Sequence, residues 1–341
     1  MDSILKQLMT WMWGFVPSRC LQIAIRAGLF EYISTSHPTT DELSEHFSFS
    51  HRWASALLLV LNDIGLIVKR YDRWQMSEEG NKWTLKNSEH YLGDFIVRSE
   101  TLYNAYTKLD DSMKSGEPNP IMRNMTLDAF GEDDVETRNF AASMKAMSID
   151  IGEELAKHLY FLDKGKILDV GCGVGAIALA IAQRLPNTDI VAFDLPKVAK
   201  LCREFIASNK AAHKISVLSS SWNDWDWRKQ YDCVLLSQVL HELDSKESSI
   251  LFRNAVQALN VGGLVIVIAI AKLSQNDPDI LPSIFRMNML MEIGGDNTDI
   301  GWITCVFEQN NISMKDKIIL PGGRVAYIGE KIANKGINAD S

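Results

Sequence analysis

Cysteine is sparse in this chain. Five residues, Cys20, Cys172, Cys202, Cys233 and Cys305, are scattered over 341 positions with no C-x-x-C pair. An odd number at wide spacing indicates neither a disulfide framework nor a zinc site, and fits a reducing, cytoplasmic setting. The seven histidines fall on separate elements without ligand spacing, so no metal centre is expected. Clustered positive charge is also missing: 35 Lys and Arg stand against 43 Asp and Glu, a formal net charge of -8. Without a basic run the chain is poorly equipped for nucleic acid or an anionic membrane. Long hydrophobic runs are absent too. Leu8–Val16 is too short to cross a bilayer and lacks a persuasive cleavage site, and Leu264–Ala271 has the length of a core strand. What remains, 46% hydrophobic and 23% charged residues, is ordinary globular composition with room for two domains, and it points to a small-molecule partner.

The most informative stretch is Lys166–Ala176, KILDVGCGVGA. Ile167, Leu168 and Val170 suit a buried parallel strand. Gly171, Gly173 and Gly175 then permit a tight turn and close backbone approach to a ligand. The following small-residue helix, running as far as Pro186, can lie close to a sheet with its free N–H groups aimed at that ligand. Gly171, Gly173 and Ala176 also satisfy the G-x-G-x-x-A dinucleotide pattern, so the turn alone leaves the cofactor open. A second strand, DIVAFDLP, delivers Asp194 to its C-terminal edge, where a carboxylate can accept ribose hydroxyls.

Elsewhere, residues 4 to 16 carry apolar side chains around most of a helical circumference, more than one subunit's core needs, which points to a homodimer interface. Thr39 and Glu42 have capping-box spacing. A helix over Trp53–Asp63 follows, then a hairpin, LIVKRYDRWQMS. That order is similar to a winged helix and raises a DNA-binding regulator as an alternative, but the reading helix offers only His51 and Arg52. Val135–Leu155 is helical, with Phe140, Met144, Met147 and Ile151 at spacings of three and four. Tyr231–Leu240 reads as a buried strand with His241 emerging at the ligand edge, a candidate base.

Together DVGCGVG, FDLP and YDCVLLSQVLHELDSKE resemble the class I S-adenosylmethionine-dependent small-molecule O-methyltransferases of plant and bacterial secondary metabolism. The likeness spans nearly the whole chain. It implies an α/β fold: a Rossmann-like methyltransferase domain with a mostly parallel, doubly wound sheet, preceded by a mainly helical, winged-helix-like dimerisation domain. The boundaries implied are 1–95 for dimerisation, 96–155 for linking helices, 156–332 for the S-adenosylmethionine domain and 333–341 for a tail. Asp169 would sit beside the cofactor's amino-acid end, Gly171, Gly173 and Gly175 along its floor, and Asp194 at the ribose. Leu195, Ser221, Trp222 and Ser237 match further cofactor positions, and His241 matches the general base. Phe140, Met144, Met147, Met289 and Ile293 match the acceptor pocket. Three departures stand out. Ala269 replaces a glutamate beside the histidine, GGDNT at Gly294–Thr298 replaces a second acidic signature, and Arg286 stands where an acid is usual. These keep open C- or N-methylation, or a non-methylating, pericyclase-like rearrangement using the same cofactor.

Overall fold

The capping box is formed: the Thr39 hydroxyl accepts the Glu42 N–H at 3.2 Å, and the Glu42 carboxylate accepts the Thr39 N–H at 2.8 Å. The computed structural model describes residues 4–123, 135–159, 162, 165–207, 209–228, 230–274, 277–295 and 299–333. The chain divides into two units, Met1–Asn104 and Ala105–Ser341.

The first unit runs α1 (Ile4–Met12), α2 (Phe15–Ala27), α3 (Leu29–Ser36), α4 (Thr40–Phe47) and α5 (His51–Asp63). The hairpin of β1 (Ile67–Arg70) and β2 (Arg73–Met76) follows, then α6 (Glu78–Thr84), α7 (Gly93–Arg98) and the start of α8 (Glu100–Tyr106). Its core joins Phe30, Ile33, Leu43, Leu58, Leu61 and Trp74. The single helix expected over residues 4 to 16 is broken. Around Gly14 the bonds tighten to i−3, Gly14 N–H to Trp11 O at 3.1 Å and Val16 N–H to Trp13 O at 2.9 Å, at a residue with poor helix propensity. No residue of α1 is buried, and Ile4, Leu5, Leu8, Trp11 and Met12 are each more than half exposed.

The second unit continues with α9 (Leu109–Ser115), α10 (Pro120–Arg123) and α11 (Val135–His158). Then come β3 (Lys166–Val170), α12 (Ala176–Arg184), β4 (Asp189–Asp194), α13 (Pro196–Ala207), β5 (Ile215–Ser219) and β6 (Tyr231–Ser237). The chain ends in α14 (Ser245–Gln257), β7 (Leu259–Ala269), α15 (Leu281–Glu292), α16 (Ile300–Gln309), β8 (Ile312–Leu320) and β9 (Arg324–Lys331). The seven strands order as β5-β4-β3-β6-β7-β9-β8. The first five are mutually parallel, and β9 is antiparallel to both β7 and β8. Chain order reverses between β3 and β6, which opens a ligand crevice at the C-terminal ends of those strands.

Alternate residues of β3 face two cores. Ile167 joins α11 and α12, and Leu168 and Val170 join α14 and α16. α11 approaches α12 closely because Gly152 has no side chain: a Cβ there would lie 2.8 Å from Ala180 Cβ and 2.9 Å from Ile177 Cα. Among the described residues no helix is long and apolar enough to cross a membrane.

Candidate cofactor and acceptor site

The β3–α12 turn is built on left-handed backbone, with φ of 68° at Gly171, 57° at Gly173 and 79° at Gly175. The outer two also leave no room for a side chain. A Cβ on Gly171 would lie 2.8 Å from Val239 Cγ2, and one on Gly175 2.8 Å from Cys202 Sγ. Gly173 differs, since nothing lies within 4 Å of its Cβ position, so its face is open to a ligand. Gly175 caps α12 without a side-chain bond, leaving that helix's first N–H groups for a bound molecule. Asp194 latches the turn: its Oδ2 accepts the Gly173 N–H at 2.8 Å and its Oδ1 the Leu195 N–H at 2.7 Å. Both oxygens stand at the C-terminal edge of β4, where a carboxylate can accept hydroxyls.

Asp169 lies behind this turn, 1% exposed, and neither carboxylate oxygen has a hydrogen-bond partner. Burial, and then the nearby Asp194 charge, push its pKa up to about 7. An orphaned buried carboxyl is costly, and a cationic group facing it would restore the ionised form. The open face at Gly173, the latched Asp194 and the orphaned Asp169 therefore fit a nucleoside that carries a positively charged amino-acid end.

The remaining cofactor candidates gather on the same edge. Asp194 and Ser219 are paired strand ends, and the Ser220 N–H donates to Asp194 O at 3.2 Å. The Ser221 hydroxyl accepts the Asn223 N–H at 3.3 Å. Trp222 packs half-buried on the core while its carbonyl accepts Trp227 Nε1–H at 2.9 Å. Leu195 is 41% exposed beside Asp194, an uncovered apolar surface, and Ser237 ends β6 next to the turn.

His241 is buried, but the strand expected to carry it is shorter. β6 stops at Ser237, Gln238 takes a left-handed φ of 55°, and Leu240–Glu242 forms a single 3₁₀ turn. That turn, and not an extended alternation, leaves Glu242 exposed. The His241 ring meets Phe285 of α15 edge-on at 4.9 Å and makes no hydrogen bond to any described residue. Gly295 lies directly on its backbone, because a Cβ there would be 1.7 Å from the His241 carbonyl oxygen. Ala269, buried at the end of β7, offers no carboxylate, and Asp296 lies outside the described residues. Burial, and then the Arg324 charge, lower the His241 pKa to about 4.

Arg324 was not singled out in the sequence. It opens β9 at 8% exposure, and burial pulls its pKa down. Nε donates to Gln238 Oε1 at 3.2 Å, Nη1 donates to Gly322 O at 3.2 Å, and Nη2 stands 4.0 Å from Met147 Sδ. The available signal was a cation directly after Gly322–Gly323 at the head of an apolar strand, RVAYIG. Arg286, which the sequence did mark, is exposed on α15.

On the acceptor side, Phe140, Met144 and Met147 are half-buried on α11, Met289 is buried on α15, and Ile293 is half-buried at its end. Met147 reaches the His241 constellation through Arg324, and α15 reaches it through Phe285. Among the described residues no group of three His, Cys, Asp or Glu could hold a metal ion. A separate open cleft of about 530 Å³, lined by residues such as Gln183, Pro186, Lys210 and His213, contains none of these groups.

A Rossmann-like sheet with this turn and acid pair fits an enzyme that uses a nucleoside cofactor, and similarity to known proteins makes it an S-adenosylmethionine-dependent methyltransferase. The profile of the O-methyltransferase domain family matches residues 106–304, and the chain belongs to that family. It is similar to the 3-hydroxy-5-methyl-1-naphthoate 3-O-methyltransferase of Streptomyces sahachiroi, 23% identical over 297 residues that cover 86% of this chain and 85% of the relative. The N,N-dimethyltransferase OxyT of Streptomyces rimosus is 22% identical over 258 residues, covering 74% of this chain and 75% of its own. Among solved structures, CalO1, a methyltransferase in calicheamicin biosynthesis in its SAH-bound form, matches with TM-score 0.81 at 17% identity, over 98% of this chain and 100% of that one. The last likeness speaks for the fold.

Proposed function

We propose that this cytoplasmic enzyme methylates a hydroxyl of a small aromatic or polyketide-like natural product. The observation that carries the reading is the orphaned Asp169 carboxyl behind the latched glycine turn, at the same sheet edge as His241. S-adenosylmethionine supplies the sulfonium-activated methyl group. Asp169 holds the cofactor's cationic end, Gly171, Gly173 and Gly175 its floor, and Asp194 its ribose. Leu195, Ser221, Trp222 and Ser237 complete the nucleoside's surroundings. Phe140, Met144, Met147, Met289 and Ile293 hold the acceptor by apolar contact, which converts transfer into a positioned, in-line event.

His241 takes the acceptor's proton in this reading. With its pKa near 4 in the free enzyme it is neutral throughout the working range, so the acid limb of kcat/KM is expected near pH 4 and not near 6.5. His241→Gln should lower kcat about 10²-fold with unchanged S-adenosylhomocysteine affinity. A pH profile that falls through 6.5 in the wild type and flattens in the variant would count against the displaced pKa.

A histidine this weakly basic, with no carboxylate partner among the described residues, favours a second reading. The nucleophile is then an amine, an enol carbon or an already ionised oxygen, or the cofactor serves a rearrangement without losing its methyl group. Mass analysis of product and residual cofactor separates these, since only methyl transfer converts the cofactor to S-adenosylhomocysteine.

The enzyme acts as a homodimer through the N-terminal region, a reading supported by the exposed apolar surface of α1. In this division of labour residues 1–95 serve dimerisation, helices within 96–155 wall the acceptor, and 156–332 hold the cofactor. Replacing both Trp11 and Met12 with Asp should give a folded monomer by light scattering, because two charges would be buried unpaired at the interface. A wild type that is monomeric at micromolar concentration would remove this claim.

A further inference from the structure

We propose that Arg324 is the anchor for an anionic acceptor, a flat aromatic or polyketide-like acid whose oxyanion binds the buried guanidinium beside His241. This rests on the methyltransferase reading and names the substrate class of that same site.

A guanidinium 8% exposed is normally matched by a carboxylate, since an unmatched buried cation is strongly disfavoured. None of the described residues ion-pairs with it. Asp279 approaches the Gly322–Gly323 turn, with Oδ2 3.9 Å from the Gly323 Cβ position, but it is exposed and its other oxygen accepts the Leu281 N–H at 2.9 Å. Of the five N–H donors of an arginine, one goes to Gln238 Oε1 and one to Gly322 O. Among the described residues the other three find no oxygen, and the Nη2 side faces the Met147 sulfur at 4.0 Å. Its two oxygen partners lie on a left-handed Gln238 on one side and a two-glycine turn on the other. Backbone strain of this kind persists where the surroundings over-determine it, often at ligand clamps.

The neighbours say what the anion is attached to. Met147 and Phe285 supply apolar surface on two different helices, and His241 stands between Phe285 and the end of β6. A flat apolar body against Met147 and Phe285 with its oxyanion on Arg324 meets every one of these groups. A neutral acceptor leaves the cation unmatched. Binding an anion would also cancel the Arg324 charge felt by His241, so the imidazole gains basicity when the acceptor arrives.

The test is calorimetric titration of S-adenosylhomocysteine-saturated protein with benzoate, 2-naphthoate and anthracene-2-carboxylate, and with the three matching carboxamides. The wild type should bind at least one acid ten-fold or more tighter than its amide. Arg324→Met should bring that ratio near one while retaining S-adenosylhomocysteine binding, and Arg324→Lys should keep part of the preference, a rescue that a merely structural arginine would not show. Equal binding of acids and amides by the wild type, no binding of any acid, or a preference that survives in Arg324→Met overturns the anchor. Loss of S-adenosylhomocysteine binding by the wild type would instead overturn the methyltransferase reading, so the two failures are distinguishable. If Arg324→Met does not fold, an Arg324→Lys variant that keeps part of the acid preference supports the anchor and one that keeps none overturns it.

Discussion

Asp169→Asn should yield a protein that is more stable without ligand and much poorer at binding its cofactor. The native carboxyl is buried, without a hydrogen-bond partner, and its pKa is pushed up to about 7. An unfolded aspartate ionises near pH 4, so between about pH 4 and 7 the folded state retains a proton that the unfolded state has lost. Stability must then fall as pH rises through that window. The amide has no charge to desolvate, so the variant should gain on the order of 1–3 kcal/mol at pH 8 and lose this pH dependence. Binding runs the other way. A charge-assisted bond to the cofactor's cationic end contributes about 1.5–3 kcal/mol, so Kd for S-adenosylhomocysteine should rise roughly 10- to 150-fold. In the wild type affinity should weaken below pH 7, where the free carboxyl is protonated. Thermal melts and calorimetry at pH 5.5 and 8 check both halves, and a variant that is destabilised at pH 8 with cofactor affinity intact would show that Asp169 serves folding alone.

Asp194→Ala is expected to be nearly as damaging, for a different reason. The side chain accepts the N–H groups of Gly173 and Leu195, so its removal loosens the turn and deletes the proposed ribose acceptor together. A loss of about 2–3 kcal/mol corresponds to roughly 30- to 150-fold in Kd. Asp194→Asn, which keeps one acceptor oxygen, should recover part of it. Because Asp194 also raises the Asp169 pKa, the residual binding of Asp194→Ala should extend to lower pH than wild-type binding does. Calorimetry that found both variants unaltered would remove Asp194 from the site.

Much of this arrangement was legible in the chain because it depends on local chemistry. Three glycines at i, i+2 and i+4 after an apolar strand have few uses besides a turn with positive φ, and an acid ending the next strand is carried to the same edge by the parallel register. Thr39 and Glu42 announced their capping box for the same reason: both partners lie within one helical turn. Readings that depended on distant contacts were less accurate. The break at Gly14 hides within an unbroken apolar run, and the early end of β6 at Ser237 depends on a left-handed Gln238 that no turn residue advertises. Arg324 shows the limit most clearly. A lone arginine at a strand end is usually a surface charge, and only the hairpin that folds β9 against β7 and β8 buries it beside Gln238 and Met147, 86 and 177 positions away.

The most direct measurement is incubation of the enzyme with methyl-deuterated S-adenosylmethionine and fractionated metabolites of its host, followed by mass spectrometry of products and cofactor. The expected result is one small acidic product that carries the labelled methyl group, S-adenosylhomocysteine formed in equal amount, and both sharply reduced with Asp169→Asn at limiting cofactor. A product formed without label while the cofactor stays intact, or no change in any fraction with the cofactor demonstrably bound, would contradict methyl transfer at this site.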